Sequence, residues 1–202
     1  MGSLVDQWAA TLGRPLSRRD LLKAGASSAL PPGKLGPATT QQLLSLVESG
    51  DLSAYRVAAG KLVSWSGKAS DPNTLNNAAW CCISAPDAVA DLTLPVLMAE
   101  AALDGYPDAQ KQYAVNTLGV ALDRAGRIDE AIARLDESVK ASGGGVPQDG
   151  VFLAMAHHKQ RHTEEARRWL EKTRAGNKDD PEVRILLREA EALLKRAQRP
   201  TP

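Results

Sequence analysis

The sequence predicts an all-α protein, a right-handed superhelical solenoid of about four antiparallel helical hairpins ended by a C-terminal capping helix. Three observations predict it. Apolar residues make up 43% of the 202 positions, yet only 4% are aromatic and there is a single Phe. A core drawn mainly from Ala and Leu suits close-packed helices better than a sandwich of sheets. A stretch between Ala114 and Thr173 also occurs twice: Leu118 to Leu153, Ala131 to Ala166 and Leu135 to Leu170 are each 35 residues apart. Small residues fall at corresponding places in both copies, Gly119 with Ala154 and Ala131 with Ala166, as expected where paired helices approach closely.

In chain order, residues 1–38 read as an N-terminal segment and linker, partly ordered, and residues 39–198 as the helical repeat domain. Val5 to Leu12 predicts one short helix, and Ser17 is a candidate N-cap for another. Pro31 to Pro37 is rich in Pro and Gly and reads as a linker. A helix begins at Thr39 or Thr40 with Leu43, Leu44 and Val47 on one side, turns at Ser49-Gly50-Asp51, and returns from Leu52 to Trp65 with Tyr55, Ala59 and Leu62 at helical spacing. Asp71-Pro72 can open the next helix, over about Asn73 to Ser84, with Pro in its first turn. A longer connection, Pro86 to Thr93, leads to a partner from Leu94 or Pro95 to Leu103, with Met98, Ala101 and Ala102 as packing candidates. The two clear repeats follow, separated by the Gly-rich Ser142 to Gly145. Gly126 is placed to end the first helix of its copy in a left-handed conformation. Arg161 holds the same place in the second copy, so that turn must be built differently or carry strain. A last helix from Asp179 or Pro181 to about Arg196 turns Val183, Leu186, Leu187, Ala190 and Leu194 inward and charge outward, which suits the end of an open stack.

The period lies near the roughly 34 residues of a tetratricopeptide repeat. From about Gly50 to Leu194 the sequence resembles a tetratricopeptide array of the kind found at the C-terminal ends of large bacterial proteins such as serine/threonine kinases. The segments that carry the resemblance run from Asp71 to Trp80, Ala85 to Asp91, Asn116 to Gly119, and Phe152 to His158, the last followed by Glu164-Glu165-Ala166-Arg167-Arg168-Trp169. The resemblance implies a protein-interaction module without catalytic residues. The kinase signatures are absent from the sequence.

Chemistry finds little support. The formal charge of +1 is spread unevenly, +3 over residues 1–40, −6 over 41–150 and +4 over 151–202, and an acidic middle argues against a nucleic-acid partner. No stretch approaches a membrane span, so no membrane association is expected. Ser17-Arg18-Arg19-Asp20-Leu21-Leu22-Lys23 resembles a twin-arginine export signal, but the apolar run after it is short and broken by Pro31. The segment is therefore expected to stay attached and the protein to be cytoplasmic. Cys81 and Cys82 are adjacent, a poor geometry for a mutual disulfide, and read as small packing residues. His157 and His158 diverge on a helix and His162 lies across a turn, with too few ligands nearby for a metal. Glu164 and Glu165, following Thr163, read as partners of a helix N-terminus. Gly143 to Gly145 lacks the Lys and Ser/Thr of a phosphate loop. Trp8, Trp65, Trp80 and Trp169 read as packing residues. No enzyme activity, cofactor or metal is expected.

The expected function is that of a scaffold or adaptor that binds a protein or peptide on the concave face. The first helix of each clear repeat lines that face, which nominates Asn116, Val120, Asp123 and Arg124, then Gln148, Val151, Met155, His158 and Lys159. The Asn and Lys pattern of a carboxylate clamp is not reproduced. An acidic or amphipathic peptide suits the nominated groups. The alternatives are a regulatory subunit of a separately encoded enzyme and a homo-oligomeric structural module.

Overall fold

A computed structural model describes residues 43, 45–66, 69–143, 146–176 and 180–196. Among them the regular structure is helical, with no strand. The readings on residues 1–38, on Leu44, on the side chain of Trp65, on Gly144 and Gly145 and on the C-terminal tail lie outside the described residues. The chain divides into two compact units, residues 1–108 and 109–202.

In the first unit, helical residues 45–49 lead into α1 (Leu52–Ser66), α2 (Pro72–Ile83) and α3 (Thr93–Gly105), with α2 packed against both α1 and α3. The turn before α1 closes with Gly50 at φ +79° and with bonds from Gly50 N to Val47 O and from Asp51 N to Leu46 O. Asp71 caps α2, accepting from Thr74 N at 2.9 Å, with Pro72 in the first turn as expected. Tyr55, Ala59 and Leu62 are buried, and so are Met98 and Ala102, while Ala101 is half-buried. The Tyr55 hydroxyl donates to Cys81 O at 2.7 Å and accepts from Ala85 N, which ties α1 to the end of α2. Cys81 and Cys82 are buried in this core outside any disulfide, and burial pushes the Cys82 thiol well above its usual range.

The second unit contains α4 (Lys111–Arg124), α5 (Ile128–Ala141), α6 (Pro147–Lys159), α7 (Thr163–Gly176) and α8 (Pro181–Arg196). The densest packing pairs α4 with α5 and α6 with α7. Leu118, Leu135, Leu153 and Leu170 are buried, with Ala131, Ala154 and Ala166 between them. A Cβ on Gly119 would sit 2.8 Å from Leu135 Cγ and 3.2 Å from Leu135 N, so the close approach expected there is present. Gly150 is similarly confined by the Thr173 side chain.

The two turns are built alike. Gly126 N bonds to Asp123 O and Arg127 N to Leu122 O; Arg161 N bonds to His158 O and His162 N to His157 O. Gly126 has φ +79° and Arg161 φ +63°. The strain foreseen at Arg161 is therefore present within an unchanged turn: a side chain occupies a left-handed position that glycine takes freely. Both turns hand over to the next helix through one further bond, Ala131 N to Arg127 O and Ala166 N to His162 O. No described helix is long and apolar enough to cross a membrane.

Candidate binding face

The face in question is formed by the first helices of the two pairs, α4 and α6. It is knotted together by a buried carboxylate. Asp149 Oδ1 accepts from Asn116 Nδ2 of α4 at 2.6 Å, and Oδ2 accepts from Ser138 Oγ of α5 at 2.9 Å and from Val146 N at 3.0 Å. One side chain thus joins α4, α5 and the start of α6. Burial raises the Asp149 pKa above the ordinary carboxylate value, and the three donors offset this only in part.

A second buried carboxylate lies at the other end. Asp123 Oδ2 accepts from Lys159 Nζ at 2.6 Å, while Oδ1 is buried without a hydrogen-bond partner. Burial again raises the pKa, against the lowering effect of Lys159 and Arg124. Lys159 is drawn across from α6 to α4 by this pair, its side chain still about one-third exposed.

Arg124 makes the longest reach. Its guanidinium lies over the Phe152 ring in α6, 5.0 Å from the centroid, and forms a two-pronged pair with Glu189 of α8, with Nη2 2.8 Å from Oε2. Such a fork fixes orientation as well as charge. Gln148 Nε2 donates to Glu182 Oε2 of α8 at 3.0 Å.

Of the nine nominated residues, Asn116, Val120, Asp123, Val151 and Met155 are buried. Arg124, Gln148 and His158 are half-buried, and Lys159 is the most exposed. The fold brings Asn116 against the start of α6, Asp123 to Lys159, and Arg124 and Gln148 to α8. Met155, at 1% exposure, is a packing residue in this conformation, within reach of a ligand only after its neighbours move.

Sequence reasoning missed Asp149, Phe152, Glu182, Glu189 and Tyr113. Asp149 had a legible signal, a carboxylate in the first turn of a helix that opens with Pro147, where it accepts from the Val146 backbone. Tyr113 is 55% exposed and stands one helical turn before Asn116, an aromatic ring left in water at the edge of the face.

At the turn between α6 and α7, His157 Nδ1 lies 3.4 Å from His162 Nδ1. Burial lowers the pKa of His157, which favours the neutral ring. Among the described residues no group of three or more His, Cys, Asp or Glu side chains is arranged to hold a metal ion.

Comparison with models of protein families, with curated proteins and with solved structures finds no match to this chain.

Proposed function

We propose that the protein is an interaction scaffold of tetratricopeptide type, a right-handed stack of helical pairs that binds a protein or peptide on the face of its first helices. The observation that supports this reading is the 35-residue recurrence, which extends from the sequence to the hydrogen bonds of the two turns at Gly126 and Arg161. Recurrent helix pairs of this length bury a shared core and leave one continuous face for a partner. On that face Tyr113 offers an exposed ring, and Lys159 and His158 offer polar groups that water still reaches. An exposed aromatic at one end of the face and reachable polar groups at the other give an extended partner two points of contact.

The test is recovery of a partner with the full chain, followed by calorimetry. Tyr113→Ala combined with His158→Ala is expected to weaken binding at least about tenfold while leaving the melting temperature unchanged. Arg134→Glu and Arg167→Glu, on the second helices and paired to Glu137 and Glu164 within their own turns, are expected to have no effect. The opposite pattern places the partner on the second helices and overturns the assignment of the face.

A further inference from the structure

The last helix does not continue the packing of the earlier ones. At the first junction α6 rests mainly on α5 and only lightly on α4; at the second, α8 rests mainly on α6 and scarcely on α7. Relative to the preceding junction, α8 has moved from the second helix onto the first-helix face. It is tied there by Glu182 to Gln148 and by Glu189 to Arg124, with Glu191 reaching Arg174 of α7. Glu182 and Glu189 are seven residues apart, two helical turns, so they share a side. Val183, Leu186 and Ala190 are buried between and beside them, while Arg184 and Arg188 face water. The helix has the form of a bound ligand: an apolar stripe bracketed by two carboxylates, laid against Arg124 and Gln148.

We infer that α8 is a resident occupant of the binding face, and that the partner is an amphipathic helix with the same pattern, two carboxylates seven residues apart flanking an apolar stripe, which takes the place of α8. This inference rests on the reading under Proposed function and names the partner's chemistry. Helix-in-groove recognition uses such anchors. The Asp149 knot holds α4, α5 and α6 from within, whereas α8 is held by the buried Val183, Leu186, Leu187 and Ala190 on its inner side and by side-chain pairs at its edges, of which Arg174–Glu191 is exposed enough for salt to weaken it. Being part of the same chain, α8 competes at an effective concentration on the order of millimolar. A partner helix therefore binds weakly until the resident is loosened, which gives the scaffold a closed and an open state whose balance the partner shifts.

The probe is a fluorescent peptide with the sequence of residues 180–196, titrated by anisotropy into the full chain. Glu189→Lys in the full chain is expected to raise peptide affinity at least about tenfold over the unaltered chain, because it loosens the resident and removes the α8 carboxylate that the peptide's own would replace at Arg124. Glu182→Lys, at the more open Gln148 contact, should do the same to a smaller extent and serves if Glu189→Lys prevents folding. In the full chain carrying Arg124→Glu with Glu189→Arg, preference should reverse toward a peptide that itself carries Glu189→Arg. Lower stability in Glu189→Lys and Glu182→Lys with no gain in peptide affinity overturns the inference, since α8 is then only a structural cap. A stable dimer of the Glu189→Lys chain by light scattering also overturns it, since a second copy then fills the face. If a recovered partner binds the unaltered and Glu189→Lys chains equally, the scaffold reading stands and this inference falls.

Discussion

The two helix pairs of the second unit, α4–α5 and α6–α7, share a turn but not a turn residue. Gly126 and Arg161 hold the same backbone conformation and the same two hydrogen bonds. Glycine enters a left-handed conformation freely, whereas arginine meets its own Cβ there. The second pair nevertheless keeps the turn, because Leu153, Ala154, Ala166 and Leu170 are buried along its length and set where α7 must begin. Packing along the pair outweighs a local penalty of roughly 1–2 kcal/mol at one residue. The pairs also differ in how they meet the next helix. The first is fastened to α6 through the buried Asp149, and the second carries α8 through the buried side chains of Val183, Leu186, Leu187 and Ala190 and through the pairs Gln148–Glu182 and Arg174–Glu191 nearer the surface.

That contrast can be broken most strongly at Asp149. Asp149→Ala leaves the Asn116 amide, the Ser138 hydroxyl and the Val146 N–H without their common acceptor. The expected loss is roughly 3 kcal/mol, read from chemical denaturation. A loss no larger than that of an exposed substitution would show that water takes over the three donors. Next in size is Gly119→Leu, where Leu135 stands against any added side chain. Overpacking should cost about 1–3 kcal/mol, while Ala154→Gly, at the equivalent place where a methyl already fits, should cost about 1 kcal/mol through helix propensity.

A smaller effect is expected in the pH dependence of stability. The pKa of Asp149 is raised in the folded state, so the folded protein binds its proton more tightly than the unfolded chain does. The contribution is therefore favourable below the unfolded carboxylate pKa, about 3.9, and is lost as pH rises through the higher folded value. Asp149→Asn removes this falling component, so the stability of the unaltered protein relative to the variant should decline across that window. A difference that rises with pH would mean that the three donors outweigh burial. Smallest is the turn itself. Arg161→Gly should raise stability by roughly 0.5–1 kcal/mol and Gly126→Arg should lower it by a similar amount, the left-handed penalty being partly offset by the entropy of glycine in the unfolded chain. Equal effects of the same sign would refute the equivalence of the two turns.

Much of the helical layout was legible in the sequence. The expected start near Asp71-Pro72 became α2 from Pro72, and the last helix, expected from Asp179 or Pro181, begins at Pro181. Val183, Leu186, Leu187 and Ala190 are buried as their spacing indicates, with Leu194 half-buried. Such features are local, because a helix start or an apolar stripe is written in residues within two turns of each other. The sequence by itself thus determined that the chain is helical, where the second unit repeats, and that Gly119 must stay small. Only the tertiary structure decided that Asn116 is spent on Asp149, that Val120 and Met155 lie inside, and that Arg124 lies over Phe152 and pairs with Glu189. These are contacts between residues 28 to 65 apart in the chain. Helical periodicity tells which side of a helix is apolar, but a polar residue on that side faces either water or another helix according to what packs over it, and that is fixed by chain elements too distant for a local pattern to record.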